Sequence, residues 1–404
     1  MYAFARNNID VFSIMETRRF FYGALSASFL FTVLTMLQTN ISMRMRTLQS
    51  PQDGNNRVVT LEKSREVTIH QRQQEAAINL NIHLNVSLEN IPESLVSFLK
   101  SRNQEDKLRN ASILNMHTVD STPKNNHKIV ETDSFLTLFA TWKAENDTKE
   151  KIHNFTFVNW ARMKPAVNPI LFTDSPVVAA TAHEYGWNVL PLPTTNVYGL
   201  PILKLMFLEA IKQYNSHFYG YANSDILFTN NLILTLVSIL YQSPHTNYTL
   251  VTGLRTNVYN LNETEAATSV SLTMTAATRG QVFQPSAEDY FITTRDYPWD
   301  SLPDLVVGTI AYDNYLVLNA RYQHHNVIDA SKTILAIHQS NGLDVFESHI
   351  KLNADYNKVL LRKRWFNINP PYIKGFLSCI EKYVDVVQDI IVIKTRTPPN
   401  DCKF

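Results

Sequence analysis

The stretch VNPILFTDSPVVAATAHEYG, residues 167–186, decides the fold. Its first half is a short apolar run ending in Thr173-Asp174, which reads as a buried strand. Ser175 then offers a side-chain oxygen to cap a helix, Pro176 suits the first helical position because it lacks an N–H, and Gly186 supplies the stop. Strand followed by capped helix is α/β grammar, and it repeats on both sides. Upstream, SFLTLFATW (134–142) reads as a strand and 149–163 as a helix. Downstream come WNVLPL (187–192), the amphipathic LPILKLMFLEAIKQY (200–214), the apolar run HFYGYANSDILF (217–228), the helix NLILTLVSILYQS (231–243) and the run YTLVTGLRTNV (248–258).

Composition narrows the function. Of 404 residues 45% are hydrophobic, enough for a large core, and 37 Lys and Arg balance 36 Asp and Glu. A formal charge of +1 gives no broad electropositive face, so nucleic acid is not an expected partner. The 10 glycines are scattered, and neither a dinucleotide-binding GxGxxG nor a P-loop can be written. GxSxG and HExxH are also missing, and two cysteines, Cys379 and Cys402, are too few for a zinc cluster. In an oxidising compartment they would close one C-terminal loop.

Phe20 to Met43 carries no charge, and 18 to 24 helical residues at about 1.5 Å each cross a hydrocarbon core of roughly 30 Å. We therefore expect a cytoplasmic tail at 1–19, a transmembrane signal-anchor at 20–41 and a single-pass membrane protein with its globule luminal. From Ser42 to Val130 the only aromatic is Phe98, so 42–130 reads as a stem that buries little, with a short amphipathic helix at Glu89–Ser101. Asn-x-Ser/Thr sequons begin at Asn40, Asn85, Asn110, Asn146, Asn154, Asn247 and Asn262. The globular domain is placed at 131–345 and a C-terminal extension at 346–404.

Open α/β sheets bind ligands beyond the carboxyl ends of their strands. Thr173-Asp174 after PILF and Asn223-Ser224-Asp225 after FYGYA occupy such ends. Asp-Ser-Pro is also a good turn, so Asp174 is equally a cap. Asp225, with Ile226, Leu227 and Phe228 directly after it, needs an ion-pair partner or a metal to offset its desolvation. Further on, Glu288 and Asp289 precede a strand in SAEDYFITT (286–294), and Asp313 falls in the first turn of a helix in VVGTIAYDNYLVLNARYQ (306–323). There the helix dipole alone favours a carboxylate. His338 lies at the lip of the strand-turn-strand HNVIDASKTILAIHQ (325–339) and reads either as a satisfied core histidine or as a metal ligand.

Taken together, ILFTDSPVVAATAHEYGWNVLPL, YGLPILKLMF, YGYANSDILF, SAEDYFITTRDYP, LVVGTIAYDNYL and VIDASKTILAIHQ resemble the nucleotide-diphospho-sugar transferases of the GT-A fold, over residues 133–342. The resemblance implies a mixed, mainly parallel sheet flanked by helices. It implies that Thr173 and Asp174 meet the base and ribose of a nucleotide-sugar, and that Asn223 and Ser224 hold the donor. It further implies that Asp225 and His338 bind Mn²⁺ or Mg²⁺ against the diphosphate, with Lys204 or Arg321 aiding the leaving phosphate. Asp313 or Asp289 would be the base that takes a proton from a glycan or glycoprotein acceptor. The implied setting is the Golgi or ER membrane. The chain departs from the family in having no D-x-D, since Asn223-Ser224-Asp225 keeps only the last acid, which weakens divalent binding. That departure leaves open a catalytically inactive relative that binds glycan or nucleotide-sugar or serves in assembly.

Overall fold

A computed structural model describes residues 134–142, 149–243, 248–340, 353–388 and 390–404. The expected tail, membrane span, stem and stem helix, and the sequons at Asn40, Asn85, Asn110, Asn146 and Asn247, lie outside the described residues. Among the described residues no helix is long and apolar enough to cross a membrane.

Strand β1 (Ser134–Thr141) is followed by α1 (Glu150–Ala161), β2 (Val167–Phe172), α2 (Pro176–Glu184), β3 (Asn188–Leu190) and α3 (Leu203–Gln213). Every residue of β2 is buried, as a parallel strand covered on both faces requires. Pro169 is tolerated inside it because β3 pairs only from Ile170 onward, so the missing N–H falls outside that ladder. The expected cap of α2 is present: Ser175 accepts from the Val178 N–H, Pro176 occupies the first turn, and Gly186 follows with φ +75°.

The chain continues through β4 (Ser216–Ala222), β5 (Ile226–Phe228), α4 (Asn231–Gln242), β6 (Thr249–Thr252), β7 (Arg255–Tyr259), α5 (Glu263–Ala266), α6 (Ser269–Arg279), β8 (Gln281–Val282) and β9 (Tyr290–Thr294). It ends with α7 (Tyr312–Tyr322), β10 (Asn326–Asp329), β11 (Ala336–Ser340), α8 (Tyr356–Arg364), β12 (Lys382–Val387) and β13 (Ile390–Thr395). The main sheet has the order β13-β12-β10-β6-β9-β4-β1-β2-β3, and a smaller one runs β5-β11-β7-β8. In the main sheet β9 is antiparallel to both its neighbours and β13 to β12, while the other pairs are parallel. The expected class, mixed α/β with a mainly parallel sheet between helices, is what the structure has.

Alternation along β1 sorts the core into two layers. Leu136 and Leu138 join Phe157 and Trp160 of α1 and Leu232 and Leu236 of α4. Phe139 faces the other way and joins Phe207 of α3, Leu316 of α7 and Leu361 of α8. Fully burying one such phenylalanine contributes roughly 1.5–3 kcal/mol before the entropy of ordering it.

Two apolar runs divide where sequence shows no break. HFYGYANSDILF gives β4 to the main sheet and β5 to the small one, turning at 223–225. YTLVTGLRTNV likewise splits into β6 and β7 across Gly253, where an added Cβ would collide with the Tyr290 hydroxyl. Residues beyond 345, read from sequence as an extension, supply β12 and β13 and so complete one flank of the main sheet. Cys379 and Cys402 form a disulfide.

Candidate active site at the end of the central strand

Sheet pairing gathers the polar residues. Where β4 ends, the Asn223 N–H donates to the Asp289 carbonyl at 2.9 Å, because β9 runs antiparallel beside it. Strand β5 pairs with β11 so that His338 stands opposite Ile226, which sets His338 against Asp225. Strand β11 also pairs with β7, bringing Arg255 opposite Ala336. Two sheets thus deliver Asp225, Arg255, Asp289 and His338 to one place from four separate parts of the chain.

Asp289 is held on both oxygens. Oδ2 lies 2.6 Å from Nη1 of Arg255, and Oδ1 accepts from Nδ2 of Asn223 at 2.9 Å. The Arg255 guanidinium also stacks 4.1 Å over the Phe283 ring. To act as a base, Asp289 would have to break a buried ion pair, so its geometry is that of a positioning residue. Asn223 is equally committed: its Oδ1 accepts from the hydroxyls of Tyr221 at 2.9 Å and Tyr312 at 3.3 Å.

Asp225 Oδ2 stands 3.3 Å from His338 Nε2. Burial pushes the Asp225 carboxyl up, but the neighbouring imidazole and, after it, Arg255 override this and hold it below its ordinary value. The mirror holds for His338: burial lowers it, and Asp225 overrides this and raises it above its ordinary value. The pair therefore favours carboxylate and imidazolium. Asp225 Oδ1 and His338 Nδ1 have no hydrogen-bond partner.

Two further acids behave oppositely. Asp313, in the first turn of α7 behind a left-handed Ala311, is pushed up to about 7, by burial first and then by the charge of Asp289. Glu288, 1% exposed, is raised well above the carboxylate range by burial and then by Asp313. Its Oε2 accepts from Asn314 Nδ2 at 3.0 Å, while Oε1 has no partner. One cluster therefore holds an ionised carboxylate in Asp225 and a proton-exchanging one in Asp313.

The other expected residues lie elsewhere. Thr173 Oγ1 accepts from the Ser175 N–H at 3.2 Å, and Asp174 Oδ1 accepts from the Leu192 N–H at 3.0 Å, both at the end of β2, two strands from β4. Ser224 turns toward α1, its Oγ 3.4 Å from Nε2 of His153, whose ring stacks on Trp142. Lys204 donates to the Leu302 carbonyl at 2.8 Å and pairs with Asp304 at 2.6 Å, both away from the acids. Arg321, roughly 12 Å along α7 from Asp313, is engaged with the Lys374 and Cys402 carbonyls. Sequence reading passed over Arg255, Tyr221 and Tyr312; for Arg255 the usable signal was a lone guanidinium inside an apolar run, which demands a buried partner.

Among the described residues no three His, Cys, Asp or Glu side chains come together as a metal site. The free Asp225 oxygen and the His338 imidazole nevertheless make two donors suited to a hard divalent cation whose remaining positions come from a ligand.

No protein-family model matches the chain, and no curated protein matches it. Among solved structures it is similar to a CMP-2-keto-3-deoxy-manno-octonic acid synthetase complexed with CTP, at 10% identity over 58% of this chain and 100% of that one, TM-score 0.32. It is also similar to a putative nucleotide-diphospho-sugar transferase from Desulfovibrio desulfuricans, at 9% identity over 58% and 96%, TM-score 0.31. A third is glucosyl-3-phosphoglycerate synthase from Mycobacterium tuberculosis with Mn²⁺ and UDP-glucose, at 14% identity over 66% and 88%, TM-score 0.33. Scores this low assign no family, and the α/β fold stands on the strand order and register of the sheets themselves.

Proposed function

We propose that the chain is a glycosyltransferase of GT-A type, moving a sugar from a nucleotide-diphosphate donor to a hydroxyl of a glycan or glycoprotein. The observation that carries this reading is the pairing, in one cluster at the end of the central strand, of Asp225, ionised with one oxygen unpartnered, and Asp313, whose proton exchanges near neutrality. Such a division suits a reaction that must hold a diphosphate and also deprotonate a nucleophile.

In the reaction, the acceptor oxygen bonds to the anomeric carbon, the bond from that carbon to the diphosphate breaks, and the hydroxyl proton passes to Asp313. Asp225 and His338 are the residues that would hold Mn²⁺ or Mg²⁺, and such an ion would supply charge to offset that developing on the leaving diphosphate. Because His338 must be neutral to donate to a cation, it would give up its proton to hold one. Arg255 and Asn223 keep Asp289 neutralised and the turn at 223–225 fixed. A luminal location in the Golgi or ER belongs to the same proposal, supported by the uncharged Phe20 to Met43 stretch and by the Cys379–Cys402 disulfide.

Calorimetric titration of the full chain with a panel of nucleotide-sugars, with and without Mn²⁺, tests the reading. We expect one donor to bind with Mn²⁺ and Asp225→Asn to abolish that binding while the fold persists. Equal affinity in wild type and variant, with or without metal, would refute this site.

A further inference from the structure

Residues 356–375 read YNKVLLRKRWFNINPPYIKG: five cations, no acid, in a chain whose formal charge is only +1. Arg362 and Lys363 fall on the outward face of α8, one turn past exposed Val359 and past Lys358, whose ammonium pairs with Asp355 just before the helix at 3.3 Å, while Asn357 and Leu361 are buried. Directly after the helix Phe366 is 92% exposed, followed by exposed Ile368 and Ile373. An apolar ring so bare beside a row of cations has no role in the core.

The loop that presents it is held in place. Phe366 and Asn367 both take left-handed backbone, φ 52° and 65°, which a phenylalanine adopts only when its surroundings impose it. Arg362 Nε donates to the Asn367 carbonyl at 2.9 Å, the Asn367 N–H returns to the Arg362 carbonyl, and Trp365 packs edge-on to Tyr322. On its inner face α8 is pinned by Asn357, whose side chain bonds Val306, Thr309 and Ile310 on the loop leading to α7. The outward turn of Phe366 is therefore built in.

We infer that this face, α8 with the Phe366–Ile373 loop, docks on an anionic lipid surface. Cations flanking exposed aliphatic and aromatic side chains match headgroup phosphates above acyl chains. Aliphatic Val359, Ile368 and Ile373 suit acyl chains. The inference stands independently of the reaction proposed above.

The two native cysteines are paired, so Asn369→Cys provides one free thiol in the full chain for a polarity-sensitive nitrobenzoxadiazole probe. The labelled chain is reconstituted with vesicles of phosphatidylcholine alone or with phosphatidylglycerol added. Emission should brighten and shift to the blue with the anionic vesicles only. Arg362→Gln with Lys363→Gln should lower the bound-to-free ratio about 25-fold, at about fivefold per cation. Phe366→Ser should lower it about tenfold or more, and salt at about 1 M, which shortens the screening length to about 3 Å, should reverse the signal. Equal emission with neutral and anionic vesicles would overturn the inference. So would a signal that grows with protein concentration without lipid, which marks contact between copies, or one that appears only with added RNA.

Discussion

Replacing Arg255 by methionine exposes how the acid cluster is held together. Arg255 and Asp289 are 7% and 8% exposed and 2.6 Å apart. Near them stand Asp225, Glu288 and Asp313, and the other cationic partner in the network is His338. Methionine fills the volume and keeps a contact with Phe283, so the change removes charge with little loss of packing. What is left is Asp289 buried without its partner. Breaking a buried pair in this way costs about 3–5 kcal/mol, and at about 2–4 °C per kcal/mol for a domain of this size the melting temperature should fall by roughly 6–20 °C. The double variant Arg255→Met with Asp289→Asn should regain most of the loss, because asparagine keeps an oxygen for Asn223 Nδ2 and carries no stranded charge. Thermal and urea unfolding of the two single variants and the double variant complete the cycle. A single-variant loss within about 1 kcal/mol, the range of an exposed pair, would refute the reasoning. A double variant as damaged as the sum of the singles would do the same.

Three other outcomes follow from the structure. With Asp313 raised to about 7, turnover should climb as pH rises through that value, and Asp313→Asn should remove the climb while sparing donor binding. Stability should run the other way: a carboxyl raised on folding contributes stability fully present below about pH 4 and lost as pH rises through about 7, so melting at about pH 8 should come earlier than at about pH 5, and Asp313→Asn should reduce the difference. Replacing Cys379 and Cys402 together by serine frees a loop with a sequence separation of 23 and should cost about 3 kcal/mol in chemical denaturation.

The α/β alternation was legible because each signal was local: the Ser175-Pro176 cap, the Gly186 stop and the buried runs of β1 and β2 all stand as read. Asp225 and His338 were legible one at a time, from a carboxylate and an imidazole beside apolar runs. Their adjacency was not, since it depends on β5 leaving the main sheet to pair with β11, a change of sheet inside one continuous apolar run. Lys204 looked available for phosphate because sequence does not reveal that the loop carrying Leu302 and Asp304 folds back onto α3. Asp289 looked like a free acid for the same reason: its captor, Arg255, lies 34 positions away on a strand of the other sheet.

The position of β12 and β13 has a consequence for how the chain comes into being. Strand β10 pairs with β6 on one side and β12 on the other, β13 closes the row, and Arg396 just past it reaches back to Asp329 at the end of β10. During synthesis these outermost strands emerge after all the other strands of the sheet. Until β12 has emerged and paired, the nascent sheet presents the open backbone edge of β10 to every neighbouring chain, an edge of the kind that templates mispairing. The β12–β13 segment thus acts as a late-arriving seal, and a polypeptide stalled or cut short of Lys382 would carry the strands of the candidate site already paired beside an unprotected border.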